Sequence, residues 1–348
     1  MLQLAGLGLW LNLGIFLLAA AAVWAAGTRL TGYLDHIATI TGLSHAFTGM
    51  LLLGGITSLP EIAAVSTASL IGNAPLATNN LLGSISINVI LIAFADAVLG
   101  RDALTSSVPT STTMLQGALC MIGLALVAIA VLAGDVPLGW VGLWPIALIV
   151  YCISAFWLAR HYASRTPWQV RDASRRNARD RVHVKDEQRH MLQSFVLKTV
   201  VAGAIILVSG FFLAQSADAI AQQTGLGSGF VGLLLAGFAT SLPELSSITA
   251  AVRRKRYEMA LGDIFGTNLL TIALIFLSDS LYFGGPVLLE AGTFEAIASL
   301  LGLVLTGIFL VGLLERADRT VLRMGYDAIT AIVVFMGGLV LLYFQSGS

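Results

Sequence analysis

Apolar runs of about 18 to 25 residues recur along the whole chain, and nothing else in the sequence restricts the fold as much. Each is long enough to cross a hydrocarbon layer roughly 30 Å thick. In lipid every backbone N–H and C=O must find a partner inside the segment, so a spanning run is a helix. Composition agrees, with 57% of the 348 residues hydrophobic and only 11% charged. A soluble domain carries about a quarter charged residues. Ten spans are expected, at roughly 7–27, 44–71, 78–98, 114–133, 139–160, 194–215, 228–252, 260–279, 294–314 and 326–344. The weaker stretch Thr28 to Leu43 reads as an extension of the first helix at the interface. Met1 to Asn12 hold no Lys or Arg, so the first run reads as a retained span and not a cleaved signal. Cys120 and Cys152 lie within apolar runs, outside any metal-ligand spacing, and read as small core residues.

The basic residues give the orientation. All 19 Lys and Arg residues fall in or beside odd-numbered connections. Arg29 follows the first span and Arg101 the third. Arg160 to Arg189 and Lys198 surround the fifth connection. Arg253, Arg254, Lys255 and Arg256 follow the seventh span, and Arg316, Arg319 and Arg323 the ninth. One face therefore holds all the basic charge, and the positive-inside rule makes that face cytoplasmic, with both termini outside a cell membrane. The expected organisation is a five-helix unit over 1–160, a basic linker over 161–193 and a second five-helix unit over 194–348. The linker reads as solvated, with contact to anionic lipid as the alternative.

The chain also repeats itself. Asp35–Asp96 aligns without a gap on Asp218–Asp279 at a constant offset of 183. The centre of the match is Thr57-Ser58-Leu59-Pro60-Glu61 against Thr240-Ser241-Leu242-Pro243-Glu244. Gly49/Gly232, Gly83/Gly266 and Asp96/Asp279 also match. Shared hydrophobicity does not produce two matched polar pentads. The connection after span two faces outward and that after span seven inward, so the copies are inverted. The expected fold is thus an all-α membrane protein of ten helices in two inverted five-helix repeats, with broken helices at the midplane, as in secondary transporters.

Glu61 and Glu244 lie inside apolar spans, and no Lys, Arg or His of either span is placed to pair with them. Ionised carboxylates at that depth are costly and mark ion pathways. A protonated glutamate bonded to a backbone carbonyl is the plainer alternative. Thr57 and Ser58 precede Glu61 by one helical turn and share its face. Pro60 and Pro243 cannot donate an N–H, so the carbonyls of Ile56 and Ala239 lose their helical partners. The following helix adds a polar stripe, Asn80, Ser84 and Asn88 in the first copy and Asp263, Thr267 and Thr271 in the second. The set is rich in oxygen and lacks thiolate and imidazole, which favours hard cations such as Ca²⁺ or Na⁺ over Zn²⁺ or Cu⁺. Asp96 and Asp279 end their helices, and capping or transport roles both remain open. Asp135, Glu290 and Glu295 lie in or near outward loops and read as solvated.

The paired Gly-x-x-Thr-Ser-Leu-Pro-Glu motifs, each followed by a Gly-Ser/Thr helix, resemble the α-repeats of the sodium/calcium exchanger family, over 41–96 and 224–279. The resemblance implies that Glu61 and Glu244 bind Ca²⁺ in competition with Na⁺. It implies further ligands in the hydroxyls of Thr57, Ser58, Thr240 and Ser241 and the carbonyls of Gly54 and Gly237. Ser84, Asn88, Thr267 and Thr271 are implied on the second helices. The sequence departs from the family pattern at Ile56, Ala239, Asn79, Ile85 and Thr271. Thr271 removes an amide or carboxylate, and Asp263, two turns away on the same face, is expected to restore a charge. The implied function is antiport of Ca²⁺ against a monovalent cation by alternating access, with Na⁺ as partner and H⁺- or K⁺-linked exchange as the alternative. Enzymatic motifs are missing: there is no His-Glu-x-x-His, and Gly262-Asp263 with Tyr326-Asp327 only faintly resembles an intramembrane protease. No cofactor and no nucleic-acid partner is expected.

Overall fold

The computed structural model describes residues 6–99, 103–106, 108, 111–163, 185–224, 238–315, 320–321 and 324–346. The first helix, α1 (Leu9–Thr41), runs through the weak stretch as expected. It stops at Gly42, whose φ of 73° sends its N–H back to the Ala38 carbonyl at 2.9 Å.

The second span is broken where the sequence concentrates glycine and proline. It consists of α2 (His45–Thr48), a π-helical turn (Gly49–Leu53), α3 (Gly54–Thr57) and α4 (Leu59–Leu70). Ser44 starts it by accepting the Phe47 N–H at 3.2 Å. Pro60 sits in the first turn of α4, where a missing N–H costs nothing. The two parts meet at Ser58 with a bend of 47°.

After the break come α5 (Ala74–Leu99), α6 (Ser111–Ala133), the hairpin β1–β2 (Pro137–Leu138, Val141–Gly142) and α7 (Leu143–Ala163). Then follow α8 (Lys185–Thr224), α9 (Leu242–Arg253), α10 (Tyr257–Leu281), a 3-10 turn (Val287–Leu289), α11 (Thr293–Glu315), the hairpin β3–β4 (Thr320–Val321, Met324–Gly325) and α12 (Tyr326–Ser346). Among the described residues, eight helices are long and apolar enough to cross a membrane, or nine if the bent pair counts as one. The expected span 228–252 and linker 161–193 lie partly outside the described residues.

α5 and α10 occupy the middle of the bundle: 72% and 78% of their apolar windows are buried, against 17% for α12. The outer helices instead turn Leu18, Val150, Ile153 and Val333 outward, a surface suited to lipid. Close packing at the centre depends on glycine. The π-helical turn lies so tightly on α10 that a Cβ on Gly266 would overlap the Met50 carbonyl.

The hairpins and their following helices recur at the same offset as the motifs, with Leu143–Ala163 answered by Tyr326–Ser346. So do two carboxylate contacts. Asp96 accepts N–H bonds from Leu104 at 2.5 Å and Gly325 at 2.6 Å. Asp279 accepts them from Val287 at 2.5 Å and Gly142 at 2.7 Å. Each ties the loop after its own helix to the hairpin of the other half, which decides between the two roles left open: these are backbone acceptors. The solvated reading of Asp135 and Glu295 is corrected. Both are buried, Asp135 accepting from Val136 and Trp144, and Glu295 from Gly292. Unpaired loop N–H groups at the helix ends explain why. Glu290 is exposed as expected. At the end of the bundle that carries Arg254 and Arg256, Asp35 of α1 pairs with Arg256 at 2.6 Å and lies 3.5 Å from His45.

Candidate cation-binding site

The two helix breaks set both glutamates in equivalent places. Glu61 stands in the first turn of α4 and Glu244 in the first turn of α9, each directly after a proline. There the helix dipole favours negative charge. Glu61 is 1% exposed and Glu244 fully buried.

Their surroundings differ. The Thr271 hydroxyl is 3.3 Å from Glu61 Oε2 and 2.9 Å from the Thr267 carbonyl, with one proton to share between them. Ser84 also lies against Glu61, its hydroxyl donating to the Leu81 carbonyl at 3.0 Å. Glu61 Oε1, both carboxylate oxygens of Glu244 and Thr267 Oγ1 are buried without any hydrogen-bond partner. Glu61, Glu244 and Asp263 form no ion pair among the described residues.

The other expected residues fall around this pair. The Thr57 hydroxyl lies 3.1 Å from the Leu53 carbonyl, 3.2 Å from that of Gly54 and 3.5 Å from Asp263 Oδ1. Ser58 donates to the Gly54 carbonyl from its hydroxyl at 2.8 Å and its N–H at 3.0 Å. The Gly54 carbonyl, expected as a ligand, is thus engaged by the chain's own donors. Ser241 donates to Asn88 Oδ1 at 2.9 Å, and the Asn88 amide reaches Asn268 Oδ1 at 3.4 Å. Asn268 in turn donates to the Ile85 carbonyl at 3.4 Å, a contact between residues 183 apart. Thr240 is buried and lines a cavity of about 360 Å³ together with Pro60, Asn79, Asn80, Ser84 and Gln215. Gly237 lies outside the described residues.

Asp263 is fully buried, close to Glu244, and accepts a hydrogen bond from Ser247. On α10 it stands eight positions before Thr271, about 12 Å along the axis, which is the two-turn separation expected. Ser247 and Asn268 were not among the expected ligands. Ser247 has alanine, Ala64, at its repeat position, so a search for matched polar pairs passes over it.

Among the described residues, no three His, Cys, Asp or Glu side chains are grouped to hold a metal by themselves. An ion here would complete its shell with hydroxyl, amide and carbonyl oxygens, which is the chemistry of hard cations. Without a cation, each unpaired carboxylate in so dry a place costs several kcal/mol.

A bundle of lipid-length helices that buries unpaired carboxylates at helix breaks belongs to the class of multi-pass membrane proteins built around an ion. More narrowly, the chain belongs to the sodium/calcium exchanger protein family, whose model matches residues 11–159 and 194–347. It is 25% identical over 277 residues to an uncharacterized membrane protein of Methanocaldococcus jannaschii, covering 79% of this chain and 83% of that one. It is 25% identical over 258 residues to the inner membrane protein YrbG of Escherichia coli, covering 74% and 73%. The fold is shared with the sodium-calcium exchanger NCX_Mj. A structure soaked with 10 mM Na⁺ and zero Ca²⁺ matches with a TM-score of 0.69 at 18% identity, over 96% of this chain and 99% of that one. One soaked with 2.5 mM Na⁺ and 10 mM Sr²⁺ matches with a TM-score of 0.70 at 17% identity and the same coverage.

Proposed function

We propose that this chain is a secondary antiporter that exchanges Ca²⁺ for Na⁺ by alternating access, with the ion held between Glu61 and Glu244. One observation carries the reading: three carboxylate oxygens of these residues are buried with neither a hydrogen bond nor an ion pair. A cation is the one partner that would satisfy both at once. Thr57, Ser58, Thr240, Ser241, Ser84, Asn88, Thr267 and Thr271 supply neutral oxygens around it, and Gly54 and Gly237 their carbonyls when the helix breaks rearrange.

In this reading the chain has ten spans in two inverted units, 1–160 and 194–348, joined by the linker 161–193, with the basic connections facing the cytoplasm. The recurrence of hairpins, helices and aspartate contacts at one offset supports it. Loading either one Ca²⁺ or a set of Na⁺ neutralises the glutamates and lowers the cost of enclosing them. The empty site resists enclosure, and that resistance couples the two ion flows.

The test is uptake of radioactive Ca²⁺ by proteoliposomes under an imposed Na⁺ gradient. Wild type takes up Ca²⁺, while Glu61→Gln and Glu244→Gln each abolish exchange. Uptake that follows an imposed pH gradient and ignores Na⁺ would replace Na⁺ by H⁺ as the coupling ion. Wild-type uptake in either mutant would refute the glutamate site.

A further inference from the structure

A chain of three hydrogen bonds leads from the site to Asn268. Ser241 donates its hydroxyl to Asn88 Oδ1 at 2.9 Å. Asn88 donates from Nδ2 to Asn268 Oδ1 at 3.4 Å. Asn268 donates from Nδ2 to the Ile85 carbonyl at 3.4 Å. All three side chains are buried, none more than 1% exposed.

The last acceptor sets the direction of the whole chain. A backbone carbonyl can only accept, so Ile85 takes the NH₂ end of Asn268. Asn268 Oδ1 is left facing Asn88, and it draws the NH₂ end of that residue. Asn88 Oδ1 is thereby turned to Ser241, whose hydroxyl gives up its proton there and keeps its lone pairs free. Run the other way, the chain would have Asn88 present two N–H donors, which a cation avoids. The Cys120 thiol also lies against Asn268, but a thiol is weak as donor and as acceptor and imposes no direction. Asn88 stands one turn beyond Ser84, which lies against Glu61, and Ser241 one turn before Glu244. The oxygen so turned meets the residues that flank both glutamates.

Asn268 and Ile85 hold the same place in the two repeats, so their contact falls where the halves cross. An asparagine in both copies would set two reversible amides against each other. Isoleucine in the first copy offers only its backbone carbonyl, and the chain runs one way. The repeat position of Asn88 is Thr271, whose hydroxyl has an acceptor of its own in the Thr267 carbonyl at 2.9 Å and needs no such control.

We propose that Asn268 is a positioning residue of the cation site. Anchored on the Ile85 carbonyl, it holds Asn88 with its carbonyl oxygen, and Ser241 with its lone pairs, turned to the ion. The inference rests on the exchange reading above, in which Asn88 and Ser241 are ligands.

Calorimetry of Ca²⁺ binding to the purified full-length chain in detergent tests it through a double-mutant cycle. Asn268→Leu, similar in shape and without the amide, raises the Kd for Ca²⁺ about 10–100-fold, as removal of a group that orients a metal's ligand does. Asn88→Ala also raises it. Asn268→Leu added to Asn88→Ala costs little more, because the residue it orients is gone. Asn268→Ser, whose rotating hydroxyl imposes no direction, weakens binding in the same sense and covers the case in which the core does not accept leucine. A wild-type Kd in both Asn268 variants overturns the proposal. So does a further loss of full size in the Asn88→Ala background, which would mark a packing role. Either result leaves the exchange reading standing. A wild-type Kd in Asn88→Ala instead removes Asn88 from the ligand set, and the proposal falls with it. A wild type that binds no Ca²⁺ refutes the exchange reading and this inference together.

Discussion

Two pairs of matched, buried carboxylates are treated in opposite ways. Asp96 and Asp279 each accept two backbone N–H bonds, from the same elements in each half. Glu61 and Glu244 share sequence context and depth, but Glu61 has the hydroxyls of Ser84 and Thr271 against it, while both oxygens of Glu244 lack a hydrogen-bond partner. The aspartates are complete within the protein, and their role is to hold the loops and hairpins of the two halves together. The glutamates are incomplete, and incompleteness in a dry interior is what marks a site for something brought from outside. Burial alone does not separate the two cases; the donor count does.

The comparison can be broken at each pair. The largest stability effect is expected at the aspartates, where Asp96→Ala or Asp279→Ala orphans two buried N–H groups and costs about 2–5 kcal/mol. The two losses should be equal, and thermal unfolding in detergent measures them. A large loss in one and none in the other would break the correspondence between the halves. The glutamates should respond with the opposite sign. In cation-free buffer, Glu244→Gln removes a charge with no partner and raises the unfolding temperature. Glu61→Gln raises it less, because Thr271 already contacts Glu61. Equal gains, or a loss at Glu244, would mean that its oxygens are satisfied after all. Smaller again is Thr271→Ala, which removes the hydroxyl contact of Glu61 and should weaken Ca²⁺ binding by about 1 kcal/mol, read by calorimetry. The same substitution should leave the unfolding temperature of the Ca²⁺-free protein within a degree or two of wild type, since Thr271 also spends its proton on the Thr267 carbonyl.

The sequence makes some of this legible and hides the rest for identifiable reasons. Glu61 and Glu244 stand out because a carboxylate within an apolar run has no ordinary explanation. The broken helix is announced by Gly54, Gly55 and Pro60, and the bend falls beside them, at Ser58. The partners of Asp96 and Asp279 are hidden, because Gly325 is 229 residues from Asp96 and Gly142 is 137 from Asp279. The central position of α5 and α10 is hidden too. Their apolar windows resemble that of α12, since lipid and protein interior ask for the same side chains; 72% against 17% buried appears only on packing. Ser247 escapes because the internal repeat directs attention to matched residues, and its counterpart is Ala64.

The central claim is that Glu61 and Glu244 complete their coordination on a shared cation. Crystals of the full-length chain soaked in Sr²⁺, a heavier analogue of Ca²⁺, test it through anomalous scattering. The account predicts one strong peak contacting carboxylate oxygens of both residues, at about 2.3–2.6 Å or slightly longer for the larger ion. A peak bound elsewhere, or an empty site at saturating Sr²⁺ with the glutamates hydrogen-bonded to the protein, would contradict it.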